Sequence, residues 1–225
     1  MINWTLINEI TNLIAVAVQL VLVVIAIKFY SAISWSKYLF YYFLGLSILD
    51  IITFYVYKFL GQDSYYLSPF YLFTSYIPFA FLYYFALPNK ILKRGIIIVT
   101  GVLSSLFLLK LTLLVQWNAH NIENSFLVKI YKIIVCLIAF NFILKDASKS
   151  LVKTPLFMVT MGFFMNSMIP IVSDFIRKHL FETSPEYFQI SLMIMNITAI
   201  IAYYLMGRGL VLLRKPIIPA SFPML

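Results

Sequence analysis

The chain has 225 residues, of which 63% are hydrophobic and only 11% charged. Soluble domains are usually about 45–50% apolar and about 25% charged, so a soluble fold of this size could not hide so much Leu, Ile, Phe and Tyr. The net charge of +9 does not point to nucleic acid, because the cations stand at the ends of apolar runs, where membrane topology and anionic headgroups account for them.

The first residues, MINWTLINEITN, are polar and lack a basic n-region, and no small-residue cleavage site follows the apolar run behind them. That run is therefore expected to be a retained span and not a signal peptide. In all, seven runs approach the roughly 20 residues that cross a hydrocarbon core. They cover about 7–29, 38–60, 67–87, 95–115, 126–144, 156–176 and 187–206. The connections leave no room for a soluble module, so residues 1–215 read as one domain and 216–225, PIIPASFPML, as a Pro-rich tail. The expected fold class is all-α integral membrane, a seven-transmembrane helix bundle.

Orientation follows from the cations. Lys28, Lys37, Lys90, Lys93, Arg94, Lys145, Lys149, Lys153 and Arg208 fall at one set of span ends. The opposite set holds Lys58, Arg177 and Lys178 together with Asp63, Glu123, Glu182 and Glu186. Cytoplasmic loops carry the Lys/Arg excess, which places the N-terminus outside and the C-terminal tail in the cytoplasm. Trp4, Trp35, Tyr38, Tyr65, Tyr66, Trp117 and Tyr187 stand at span ends, as interfacial anchors do.

Spans 2–3 align without a gap on spans 6–7 at a separation of 120 residues. Ser47 then meets Ser167, Lys58 meets Lys178, Leu72 meets Leu192, and Tyr83-Tyr84 meets Tyr203-Tyr204. Both members of each pair run the same way through the bilayer, giving a candidate 3+1+3 parallel pseudo-repeat. Such repeats are similar to those of sugar-transporter folds of the SWEET type. Equivalent turn requirements at two short loops would produce the same echo.

Ionisable groups inside apolar runs are the best functional pointers, because a charge at the bilayer centre costs roughly 2.5–3.5 kcal/mol on insertion scales. Asp50 is the most deeply placed; Asp174, Lys110, Lys129 and Lys132 lie nearer the outer ends of their spans. Lys129, Lys132 and Cys136, at i, i+3 and i+7, share one helical face. Asp50 is too short to snorkel, so it calls for a partner, a water-filled pocket or a proton; pairing an acid with Lys132 or Lys110 would neutralise both. The lysines could instead snorkel to headgroups. Asn166, Ser167 and Ser173 on span 6, Asn196 on span 7 and Gln19 on span 1 extend the polar line, as interhelical bonds or as ligand contacts. Asp50, Lys110, Lys132, Asn166, Asp174 and Asn196 are thus the ligand-pocket candidates, with Pro78 and Pro170 as points where a helix could flex.

The single cysteine, Cys136, excludes an intrachain disulfide and reads as a buried packing residue. No HExxH, GxSxG or Walker A pattern occurs. Asp50 in ILDII and Asp174 in VSDFI lack the flanks of an intramembrane aspartyl protease, and span 7 has no lysine for a retinal Schiff base. No catalytic residue, metal ligand or cofactor is expected, and the chain reads as non-enzymatic.

The stretch LVKTPLFMVTMGFFMNS (151–167) and the later LMIMNITAIIAYYL (192–205) carry a resemblance. Thr154-Pro155-Leu156-Phe157, Gly162 and Asn196 resemble the x-Pro-x-Phe start of span 6, the Gly after it and the Asn-bearing span 7 of seven-span sensory membrane modules associated with bacterial histidine kinases. The resemblance implies a sensor or receptor-like module of the bacterial inner membrane. It would take an unknown small ligand and signal through its basic cytoplasmic loops to a histidine kinase or another membrane protein. Two alternatives stand beside it, a small secondary transporter built on the parallel repeat and a membrane assembly or scaffold subunit.

Overall fold

A computed structural model describes residues 3–60, 67–113, 121–145 and 150–213. Side chains are described there except at 57, 58, 60, 68, 110–113, 121–125, 174–183 and 185. The proline-rich tail lies outside the described residues, as do Tyr65, Tyr66 and Trp117.

The described chain is helical: α1 (Trp4–Lys28), α2 (Ser36–Leu60), α3 (Ser68–Ala86), α4 (Lys90–Leu113), α5 (Asn121–Lys145), α6 (Pro155–Thr183) and α7 (Pro185–Leu212), with a 3-10 turn at Leu151–Lys153 before α6. Local chemistry sets several ends. The Asn3 side chain accepts from the Leu6 N–H at 3.1 Å, and Asn89 Oδ1 accepts from the Ile91 N–H at 2.8 Å, so α1 and α4 start on amide caps. Pro155 and Pro185 open α6 and α7, where a missing N–H costs nothing. Leu87 leaves the helix for extended backbone because Pro88 follows it. At the α1–α2 turn the Ser36 hydroxyl donates to the Phe29 carbonyl at 2.6 Å.

Six of these helices are long and apolar enough to cross a membrane, so the protein is a multi-pass membrane protein. The helix outside that set is α3, SPFYLFTSYIPFAFLYYFA, whose four tyrosines and two prolines lower its hydropathy. Its position explains the composition. α3 packs against α2, α4 and α5, and Tyr76, Phe79, Ala80, Leu82 and Tyr83 are all buried. The buried face of α3 meets protein, where polar atoms are tolerated wherever a partner is in reach, while Phe70, Phe81 and Phe85 stay exposed on its outer side.

Neighbours in sequence are neighbours in space, and α7 returns to pack on α1, closing the ring; α4 leans on α3 with little contact to α5. Helix directions alternate along the chain, so α7 runs antiparallel to α6 and parallel to α1. The C-terminal part of α7 meets the start of α6 at Gly209 and Pro155, and meets the later part of α1 at Gly207 and Leu22. This alternation gathers Lys28, Lys37, Lys90, Lys93, Lys145, Lys153 and Arg208 at one end of the bundle. There Lys37 lies over the Tyr38 and Phe85 rings, and Lys93 over Tyr84. Trp35, expected as an interfacial anchor, is instead buried in the core.

The interior is aromatic. Phe163 stands edge-on to Tyr42 and Phe79, each at 5.0 Å between centroids, and Phe79 meets Tyr83 at 4.7 Å. Tyrosine hydroxyls then link the helices: Tyr83 donates to Thr160 Oγ1 at 2.9 Å, Tyr76 pairs with Ser104 at 2.5 Å, and Tyr131 pairs with Thr100 at 3.0 Å. Each ring fills apolar space while its hydroxyl is satisfied on the next helix.

Candidate functional site

Three of the pocket candidates converge. Asp50, Lys132 and Asn166 stand well inside α2, α5 and α6, and all three line one cavity of about 310 Å³. α1 adds Gln19, α3 adds Tyr71 and Ser75, and α7 adds Tyr203. Only α4 contributes nothing among the described lining residues.

Asp50 is held by neutral donors and not by a lysine. Gln19 Nε2 donates to one carboxylate oxygen at 2.8 Å and the Tyr71 hydroxyl to the other at 2.6 Å. Both donors are themselves tied down. Gln19 Nε2 also reaches Ser47 Oγ at 3.1 Å, and Tyr71 Oη pairs with Thr53 Oγ1 at 3.0 Å. Ser47, Asp50 and Thr53 lie one turn apart along the same face of α2, so α1 and α3 grip one polar ladder from two sides.

Lys132 is buried, with its ammonium over the faces of Tyr42 at 5.8 Å and Phe79 at 5.9 Å. The groups bonded to Asp50 are Gln19 and Tyr71, and no carboxylate among the described residues is bonded to Lys132. Acid and lysine thus share a cavity without touching. Of the expected acid–lysine pairings, Asp50 with Lys132 does not form, since Gln19 and Tyr71 hold the carboxylate; those through Asp174 or Lys110 lie outside the described side chains. Lys129 lines the cavity beside Lys132, while Cys136, further along the same face, is buried against the Tyr83 hydroxyl.

Asn166 Nδ2 donates to the Tyr42 hydroxyl at 3.3 Å, which carries the polar line from α6 to α2. Pro170, one turn on, lacks the N–H that would bond the Asn166 carbonyl. α6 nonetheless runs unbroken through Pro170, as α3 does through Pro78.

Asn196 lies elsewhere. Its Nδ2 donates to Asn8 Oδ1 at 2.9 Å, and Asn8 Nδ2 donates in turn to Gln189 Oε1 at 3.1 Å, forming an amide seam between α1 and α7. The Lys110 and Asp174 side chains lie outside the described residues. Sequence reading passed over Tyr42, Tyr71 and Tyr203. A chain with 16 tyrosines offers nothing in the residue type to mark these three.

A second cavity, about 460 Å³, lies between α6 and α7. Its walls are Met168, Ile169, Val172, Tyr187, Ile190 and Ile194, relieved by Ser173 and Ser191. None of its described lining residues is charged. Among the described residues no group of His, Cys, Asp and Glu could hold a metal ion. No protein-family model, no curated protein and no solved structure compared with the chain matches it.

Proposed function

We propose that the chain is a seven-span receptor-like module that admits a small polar solute to the Asp50–Lys132 cavity and passes the resulting change to a partner at its basic end. One observation carries this reading: Asp50 faces the same cavity as Lys129 and Lys132, yet it is held by Gln19 and Tyr71, while Lys132 lies over the Tyr42 ring, so acid and Lys132 do not neutralise each other. Structural glue would bring them into contact, since an uncompensated charge in hydrocarbon is costly. Helices α1, α2, α3, α5, α6 and α7 all reach the cavity, so an occupant would bias the packing of nearly the whole ring. In this reading α3 is the seventh span, the basic end is cytoplasmic, and the Lys37, Lys93 and Lys153 region is the docking surface for a histidine kinase or comparable membrane partner. The resemblance of Thr154–Phe157, Gly162 and Asn196 to kinase-associated sensory modules supports the same assignment.

A transporter is the second reading, and the pseudo-repeat favours it. The matched pairs Ser47 and Ser167, and Tyr83 and Tyr203, are buried alike, and α2–α3 and α6–α7 are both neighbouring pairs. One measurement separates the two. In a Cys136→Ser background, Ser75→Cys places the only thiol in the cavity. A charged, membrane-impermeant thiol reagent should label it in sealed vesicles from the outer face alone. Labelling from both faces assigns alternating access and a transporter. Labelling from neither removes the cavity as a solute site.

A further inference from the structure

The chemistry of the cavity narrows its occupant. Asp50 presents a carboxylate whose position is set by Gln19 at 2.8 Å and Tyr71 at 2.6 Å, each donor held by a further hydroxyl on α2. Lys132 presents an ammonium confined between the Tyr42 and Phe79 rings. Among the described residues the bonds of Asp50 go to Gln19 and Tyr71 and no carboxylate is bonded to Lys132; Lys129, which also lines the cavity, is engaged in an interaction of its own, so Asp50 and Lys132 are the pair left to a solute. A neutral solute would leave both groups uncompensated, and a singly charged solute would leave one. A solute carrying both charges would compensate the two together.

Resting on the reading of this cavity as a solute site, we propose that its ligand is a compact zwitterion, with its cationic group on Asp50 and its anionic group on Lys132. Size agrees with this. Cavities that take drug-sized molecules span about 300–1,000 Å³, and this one, at about 310 Å³, stands at the lower bound. Amino-carboxylates of a few carbons fit such a volume. The Tyr42, Tyr71 and Tyr203 side chains bordering the cavity supply ring faces and hydroxyls for the short apolar stretch between the charges. Tyr71 acts as a positioning residue, since it fixes the carboxylate that meets the cation.

The experiment is a length ladder read by calorimetry on the full chain in lipid nanodiscs: glycine, β-alanine, γ-aminobutyrate and 5-aminovalerate, with alanine as a branched member. Each is compared with the amine and the carboxylate of matching length. One or two adjacent lengths should bind, at least tenfold more tightly than either singly charged analogue. Asp50→Asn should remove at least tenfold of that affinity and leave the carboxylate analogue unchanged. Lys132→Gln should do the reverse for the amine analogue. Tyr71→Phe should weaken every amine-bearing ligand severalfold without touching carboxylate binding. A singly charged analogue that binds as tightly as the best zwitterion overturns the proposal. So does a ladder that fails entirely on protein whose Ser75→Cys thiol labels from one face, and in both cases the solute site itself survives. A thiol that labels from neither face sinks the site and the zwitterion together. If a charge variant is not recovered folded, the analogue comparison on the unaltered protein decides alone.

Discussion

The seams around α7 and the cavity between α2 and α5 are built from similar residues to opposite ends. On the seams, polar atoms meet polar atoms: Asn196 on Asn8, Asn8 on Gln189. Small residues let backbones close up there, Gly162 against Ala202 and Gly209 against Pro155 and Val159. In the cavity, the polar atoms of Asp50 and Lys132 are steered by neighbours but kept off each other, with about 310 Å³ of space left between the helices. A membrane interior makes unpaired polar groups expensive everywhere. The seam therefore shows what the fold does when a polar residue serves only packing, and the cavity departs from that rule.

The largest effect should come from filling the seam. A Cβ at Gly162 would lie 2.6 Å from the Ala202 carbonyl oxygen and 2.7 Å from Met206 Cγ. Backbone cannot swing aside, so Gly162→Ala should lower stability by about 1–3 kcal/mol, the usual range for overpacking. Gly207→Ala is the control: its near atom, at 2.5 Å, is the end of the flexible Leu22 side chain, and it should be milder. Denaturant unfolding in mixed micelles ranks the two, and equal losses would deny that α6 and α7 meet backbone to backbone.

The cavity should respond in the opposite sense. Asp50→Leu removes two hydrogen bonds, but Gln19 keeps Ser47 and Tyr71 keeps Thr53, and an intramembrane carboxylate no longer has to be buried. The losses and the roughly 2.5–3.5 kcal/mol insertion cost of an acid oppose each other, leaving stability within about 1 kcal/mol of the parent. Solute binding should nonetheless be abolished, and Lys129→Leu should harm it less. A variant that unfolds while any residual folded fraction binds normally would make Asp50 structural, and the contrast between seam and cavity would collapse.

How much of this was legible from residues alone depended on whether the signal lay within one helix or between two. Asp50, Lys132 and Asn166 stood out because each interrupts an apolar run, and that is a property of a single span. The spans expected from about 95, 156 and 187 were local signals of the same kind, although the helices begin earlier, at Lys90, Pro155 and Pro185. Asn196 looked equivalent to Asn166 in sequence, yet α1 claims it, because the ring brings Asn8 and Thr11 alongside α7. The roles of Tyr71 and Gln19 in holding the acid likewise depend on which faces of α1 and α3 meet α2. Trp35 followed the rule for interfacial anchors in its position at a span end, but the α1–α2 turn folds it into the core.

The smallest effect is the most diagnostic for that contrast between Asn166 and Asn196. Asn196 Nδ2 has Asn8 Oδ1 at 2.9 Å and Thr11 Oγ1 at 3.4 Å as acceptors, and its loss leaves Asn8 still bonded to Gln189. Interhelical hydrogen bonds in membranes average about 0.6 kcal/mol, because the separated helices find other partners. Asn196→Ala should cost about that much in micelle unfolding and should leave the affinity for the best amino-carboxylate unchanged. Asn166→Ala gives up a longer bond, 3.3 Å to Tyr42, so its stability cost should be no greater. It borders the cavity, however, and Tyr42 is one of the two rings that confine Lys132, so its affinity should fall severalfold. Two asparagines with matched stability losses and unmatched binding losses would separate packing from function by position in the ring, which residue identity alone cannot do.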